Sequence, residues 1–338
     1  MRILLATDAW TPQINGVVMT LRNTIRGLTA AGHAVETIGP DRFRNIPCPT
    51  YPEIRLALRP FPLLRKLATA FAPDAVHIAT EGPVGQAARR FCLRENLPFT
   101  TAYHTRFPEY VHARVRLPVA ISYAWLRWFH RPSRAVMVPT PAIHDDLARR
   151  GFDNLVMWTR GVDTSLFRPG EPIANGWKRP VFMNVGRVAV EKNIEAFLGL
   201  DLPGTKVVVG DGPAQRLLQR RYPDAVFTGA MYGEDLARHF RSADAFVFPS
   251  RTDTFGLVLL EAMASGTPVA AFPVPGPIDV VEPGRSGVLD DDLRAAALAA
   301  LGLDRAEVRK RALAFSWDRA TAQFLSHLHP RHASARRA

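Results

Sequence analysis

One alternation constrains this chain more than any other feature. Short apolar runs rich in valine and isoleucine recur along it, each followed by a longer stretch of helical periodicity. In the first half the runs are residues 2–7 (RILLAT), 34–39 (AVETIG), 75–79 (AVHIA), 98–103 (PFTTAY) and 135–139 (AVMVP). In the second half they are 180–186 (PVFMNVG), 205–210 (TKVVVG), 225–229 (AVFTG), 245–250 (AFVFPS) and 267–272 (TPVAAF). Parallel strands covered by helices on both faces read this way, as nearly continuous apolar runs. The pattern predicts α/β architecture: two Rossmann-like doubly wound domains facing across a cleft. At 338 residues the chain exceeds one ordinary core and fits two. The expected joint is the Pro- and Gly-rich stretch 167–180 (FRPGEPIANGWKRP). That divides the chain into 1–168 and 169–315, with an amphipathic helix over 316–330 expected to pack back onto the first domain and a frayed tail after it.

Composition narrows the class. Hydrophobic residues make up 47% and charged residues 22%, the balance of a folded soluble protein. Cys48 and Cys92 have neither metal spacing nor partners enough for a disulfide framework, so a reducing, cytoplasmic setting is expected. The opening MRILLATDAW has too short an apolar run for a signal peptide, and no run approaches the ~18–20 residues of a spanning helix. Net charge is +12, yet only five of the 43 basic residues are lysine. That arginine skew reflects genome composition as readily as partners. It still permits attraction to phosphate-rich surfaces, and no nucleic-acid motif accompanies it.

Ligands of such folds bind beyond the C-terminal ends of the strands, so the residues just after each run matter most. The dinucleotide fingerprint G-x-G-x-x-G is missing after the first run, which argues against a dehydrogenase. Gly16, in the loop TPQINGVV, is either a turn residue or a point of backbone approach to a ligand. In GRVAVEKN (186–193), Gly186, Arg187 and Lys192 converge near a helix start and suit a pyrophosphate, although surface cations are common. Gly210 and Gly212 in VVVGDGP let backbone come close to a ligand. RTDTFGLVLLEAMASG (251–266) then sets Asp253 before a helix expected to begin near Gly256, and Glu261 inside its apolar run. Either Glu261 is the one polar position facing water, or it faces the cleft with the amides of Phe255, Gly256 and Leu257. Two acids flanking a helix start, opposite two cations, suggest a nucleotide sugar: an acid on ribose, cations on diphosphate, an acid on the sugar.

At these residues the chain resembles the GT-B-fold retaining glycosyltransferases of family 4. GRVAVEKN, VVVGDGP, RSADAFVFPSRTDTFGLVLLEAMASGTPVAA and RGVDTSLFRP stand in the family's order and spacing over nearly the whole chain. The family's acid–x7–acid motif usually starts with Glu. Asp253 stands there in this chain, as in a branch that makes sulfoquinovosyl or glucosyl diacylglycerol, and AYHTRFPEY (102–110) is similar to that branch too. The resemblance implies that Glu261 binds the ribose hydroxyls and that Arg187 and Lys192 bind the diphosphate. It gives the donor sugar to Asp253 and the amides of Thr254, Phe255 and Gly256, places His104 beside that sugar, and lets Gly16 bring backbone to the phosphates. It implies a hexosyl transfer with retention, by front-face displacement, with no cofactor and no required metal.

The acceptor is read from 58–73 and 114–135, where Arg59, Arg65, Lys66, Trp125 and Trp128 lie in basic amphipathic stretches suited to an anionic membrane surface. Burial of both stretches in the domain core is the competing explanation. The expected partners are a UDP-sugar (UDP-glucose or UDP-glucuronic acid, the latter met by Arg251) and 1,2-diacylglycerol, at the inner face of the cytoplasmic membrane, without nucleic acid. A GDP-mannose-dependent mannosyltransferase and a sugar-nucleotide 2-epimerase remain as alternatives.

Overall fold

The computed structural model describes residues 1–13, 15–48, 51–173 and 176–331. The last seven positions of the expected frayed tail, and positions 174 and 175 of the expected joint, lie outside the described residues. The chain divides into one unit of Met1–Thr159 with Trp317–Ala338 and another of Arg160–Ser316. The division falls ahead of the boundary expected at 168/169 because residues 160–168 belong to the second unit. There Val162 and Phe167 are buried in its core, and Arg309 donates to the carbonyls of Phe167 and Thr164.

In the first unit the strands are β1 (Arg2–Ala6), β2 (Ala34–Ile38), β3 (Asn45–Cys48), β4 (Tyr51–Ala57), β5 (Ala75–Ile78), β6 (Phe99–Ala102), β7 (Ala135–Val138) and β8 (Leu155–Met157). Six of them form a parallel sheet in the order β2-β1-β5-β6-β7-β8, and β3 and β4 make a separate antiparallel pair. The order reverses at β1, with β2 on one side and β5 on the other, which opens a crevice at their carboxyl ends. The helix Trp317–His327 returns to this unit and packs on the helix Gly16–Ala30. Phe324 enters the same apolar cluster as Ile3, Leu5 and Trp158, and Trp158 Nε1 donates to the Ala320 carbonyl at 3.1 Å.

The second unit contains β9 (Val181–Val185), β10 (Thr205–Val209), β11 (Val226–Gly229), β12 (Ala245–Phe248), β13 (Val269–Ala271) and β14 (Gly287–Leu289). All pair in parallel, in the order β11-β10-β9-β12-β13-β14. This is the dinucleotide-fold order, with its reversal between β9 and β12. The faces of β9 and β12 are buried throughout, which is why their sequences show no polar alternation.

Candidate nucleotide-sugar site

The reversal between β9 and β12 sets the geometry of the second unit. These strands pair only at Ala245 with Phe182 and at Phe246 with Met183, then part. Where they part, the buried Asn184 side chain donates to the Val247 carbonyl at 3.0 Å and bridges the split. Asn184 was invisible as a site residue in the sequence, where its one signal is a lone amide inside an apolar run.

The loops that follow the two strands are stitched together. Asn193 Nδ2 donates to the Pro249 carbonyl at 3.0 Å, and the Thr252 hydroxyl donates to the Glu191 carbonyl at 3.2 Å. Lys192, at the end of a short 3-10 turn Val190–Lys192, donates to Asp253 Oδ1 at 2.5 Å. The structure thus brings Lys192 and Asp253 into direct contact, where the sequence set them on opposite sides of a ligand. The other carboxylate oxygen, Oδ2, is buried and has no hydrogen-bond partner among the described residues. It is an acceptor suited to a hydroxyl.

Gly186 ends β9 with φ +151°, and a Cβ added to it would meet no heavy atom within 4 Å. Backbone can therefore be approached there. Gly210 and Gly212 differ. A Cβ at Gly210 would stand 1.9 Å from the Gly186 carbonyl oxygen, and one at Gly212 would stand 2.4 Å from that of Val188. Both glycines let the loop after β10 pack on the loop after β9, which is reason enough for them without a ligand.

The helix Leu257–Ala264 follows the loop that carries Asp253, and Gly256 caps it in the left-handed region at φ +84° with no side-chain cap. A Cβ there would approach Leu259 Cδ1 at 2.9 Å, so glycine is required to start this helix. Thr254 and Phe255 are buried ahead of it, and the Phe255 ring meets Phe315 edge-on. Leu259, Leu260, Ala262 and Met263 are fully buried, whereas Glu261 keeps partial exposure. Enclosure by these apolar neighbours pushes the Glu261 carboxyl up to about 7. Because burial is what raises it, the ionised form of this carboxyl gains from any hydroxyl that donates to it. Arg251, expected to face an acidic sugar, instead lays its guanidinium over the Phe272 ring at 3.7 Å.

In the first unit, His104 lies in the loop after β6, and its ring meets Trp158 edge-on at 5.6 Å. Gly16 is the first residue of its helix, and the Asn15 side chain accepts from the Val17 and Val18 amides at 3.0 Å each. Those amides, the ones a phosphate would seek, are already engaged. At the β1/β5 reversal the buried Asp8 carboxylate accepts from the Thr80 hydroxyl and from the Val84 and Gly85 amides. It caps the helix Pro83–Arg94 from within the protein, and its role escaped the sequence because its partners lie more than seventy positions away. Of the remaining site residues, Arg59, Arg65, Lys66, Trp125 and Trp128 are exposed on this unit.

Two family descriptions match the chain: "Glycosyltransferase Family 4" over residues 14–166 and "Glycosyl transferases group 1" over residues 179–303. A GDP-mannose-dependent alpha-mannosyltransferase of Mycobacterium tuberculosis is 32% identical, over 85% of this chain and 83% of its own. A sulfoquinovosyl transferase of Arabidopsis thaliana is 31% identical, over 82% and 61%. An alpha-monoglucosyldiacylglycerol synthase of Streptococcus pneumoniae is 28% identical, over 89% and 78%. Among solved structures, sucrose-phosphate synthase of Thermosynechococcus elongatus superposes with a TM-score of 0.75 at 20% identity, covering 96% of this chain and 97% of the other. Both units thus carry the GT-B fold's Rossmann-like architecture. Lys192 and Asp253 meet where β9 and β12 part, beside the open Gly186, and relatives match over most of the chain: it belongs to the family 4 glycosyltransferases, retaining hexosyltransferases of the GT-B fold.

Proposed function

We propose that this enzyme transfers a hexose or hexuronic acid, with retention, from a UDP-sugar to a membrane lipid, 1,2-diacylglycerol being the acceptor first in line. The observation that carries the lipid acceptor is the outer face of the helix Val119–His130. Its exposed positions are Ala120, Ile121, Ala124, Trp125 and Trp128, all apolar, with Ile121 at 55%, Trp125 at 38% and Trp128 at 52% exposure. A helix on an ordinary water-facing surface turns polar residues outward. Cations rim this face: Arg89 sits over the Trp128 ring at 4.1 Å, and Arg116 and Arg131 are exposed near the two helix ends. The helix Phe61–Phe71 carries exposed Leu63, Arg65 and Lys66 as well. Apolar anchors ringed by arginine fit an anionic bilayer, at ~1 kcal/mol per cation near its surface. The diacylglycerol-glycosylating relative supports this acceptor. The enzyme then works as a peripheral protein on the inner face of the cytoplasmic membrane.

In this reading Glu261 holds the ribose, Arg187 and Lys192 receive the charge that grows on the departing diphosphate, and Asp253 Oδ2 with the amides at Thr254–Gly256 holds the sugar. The family resemblance assigns His104 a contact with that sugar. Preorganised cations and helix amides then supply the stabilisation, without a required metal. A second reading keeps the acceptor class and changes the donor to GDP-mannose, and the mannosyltransferase relative supports it. Arg251 gives the glucuronic acid donor little help, since its guanidinium is occupied by Phe272.

The test is purified protein with labelled UDP- and GDP-sugars, vesicles containing diacylglycerol, and a chelator in parallel, with products identified by mass spectrometry. Glycosylated diacylglycerol from a UDP-sugar supports the first reading. Mannosylated product from GDP-mannose alone supports the second. Sugar interconversion without acceptor defeats both in favour of an epimerase.

A further inference from the structure

We propose that Tyr123 and Glu109 are positioning residues for His104, forming a hydrogen-bonded brace that fixes the loop on which that histidine stands. The proposal rests on the reading that puts His104 beside the donor sugar. His104 follows Tyr103 and stands two positions before Arg106, and both of these residues lead to one cluster. Tyr103 is buried, its amide donates to the Met137 carbonyl at 2.9 Å, and its hydroxyl lies 3.4 Å from that of Tyr123. On the other side Arg106 donates to Glu109 Oε1 at 3.0 Å. The Tyr123 hydroxyl donates to that same oxygen at 2.8 Å, closing the brace beneath the loop.

A second ring of charge holds the cluster. Asp146 lies 3.8 Å from Arg106 and accepts from Arg150 Nε at 3.2 Å, and the Arg150 guanidinium covers the Tyr123 ring at 3.9 Å. Burial pushes the Tyr123 hydroxyl up to about 12, so it stays a donor throughout the working range. The far side of His104 is fixed independently by Trp158, which Phe324 and the Ala320 carbonyl hold in place.

The choice of residues argues for orientation over mere stability. Apolar residues of similar volume could fill this space at little or no loss of stability, because removing paired charges from water offsets much of their attraction. What directional bonds add is a fixed angle for the loop. A displacement of about 1 Å in a group that touches a reacting sugar can cost 100-fold in rate.

The experiment compares Y123F, E109Q, H104A and the double variant H104A/Y123F in the full-length enzyme. Turnover is read with vesicle-borne acceptor, and nucleoside diphosphate binding by calorimetry. Y123F removes one hydroxyl, and thermal unfolding confirms that it folds. We expect Y123F and E109Q each to lower kcat by about 10–100-fold, with nucleoside diphosphate affinity unchanged, since Arg187, Lys192 and Glu261 lie in the other unit. In the H104A background Y123F should have no further effect. A Y123F loss that multiplies with that of H104A, or wild-type kcat in Y123F, overturns the brace alone. Wild-type turnover in H104A overturns the placement of His104 at the sugar, and the brace with it.

Discussion

Lys192 Nζ donates to Asp253 Oδ1 at 2.5 Å, across the point where β9 and β12 part. The cation proposed for diphosphate and the acid proposed for sugar therefore hold one another. Each neutralises the other in a half-buried position, and each fixes the other's direction. We expect K192A and D253A each to lower kcat/KM by about 100–1,000-fold. The double variant should lose less than the product of the two, because the residues act as a pair. Each single variant should also lose about 1–3 kcal/mol of stability by stranding its half-buried partner, and the double variant less than the sum. Steady-state kinetics with thermal unfolding of all three variants checks this, and full multiplicativity would mean that the pair is incidental.

Glu261 gives the donor site a pH dependence of known sign. Burial raises its carboxyl to about 7 from 4.5, so the folded protein binds a proton the unfolded chain has already lost. This contribution to stability is fully present below pH 4.5, falls as pH rises to 7, and is flat above, a change of about 3 kcal/mol at most. In the proposed role at the ribose, Glu261 accepts from hydroxyls in its ionised form. Nucleotide affinity should therefore rise up to about tenfold per pH unit below 7 and level off above it. Calorimetric titration between pH 5.5 and 8.5 measures this, and E261Q should bind weakly with no such slope.

The glycine at 210 is a test of loop-on-loop packing. Alanine there would put its Cβ 1.9 Å from the Gly186 carbonyl oxygen, on a backbone at φ +140°. We expect G210A to lose about 2–4 kcal/mol of stability and to weaken nucleotide binding by shifting Gly186. Chemical denaturation and binding measured together would show both. A stable variant with normal binding would contradict the packing argument.

Asp8 offers the opposite contrast. It caps the helix Pro83–Arg94 in the first unit, whereas Arg187, Lys192, Asp253 and Glu261 belong to the second. D8A should lose about 1–2 kcal/mol, as other lost caps do, while nucleoside diphosphate affinity stays at the wild-type value. A fall in that affinity would show that the first unit's strand ends bind the nucleotide.

The exposed aromatic face can be removed with little cost to the core. W128A should keep a near-wild-type unfolding temperature, its ring being half exposed, while W125A should lower it slightly because that ring stacks on the buried Phe129. Each should reduce partition onto anionic vesicles by about tenfold, as expected for 1.5–3 kcal/mol of side-chain transfer only partly realised at an interface. Sedimentation with vesicles reads the effect. Unchanged partition in the double variant would remove the basis for a membrane acceptor.

Ten of the strands were legible in the sequence because strands buried in the middle of a sheet are almost wholly apolar, as β1, β5, β9 and β12 are, and the edge strands β2 and β11 still carry apolar residues enough to show. The edge strands β8 and β14 were not, being three residues long and only partly buried, with too little apolar run to stand out. Glu261 and Asp253 could be proposed together because their spacing is local, set by one loop and one helix. The sequence by itself therefore determined the two sheets and the helix started by Gly256, and nominated the acids and cations of the proposed donor site. Only the tertiary structure decided which of them touch. The Lys192–Asp253 contact, the Asn184 bridge, the Asp8 cap and the Tyr123–Glu109–Arg106 brace join different strand ends or different helices. Strand order sets such meetings, and strand order is a property of how sheets assemble rather than of any single segment.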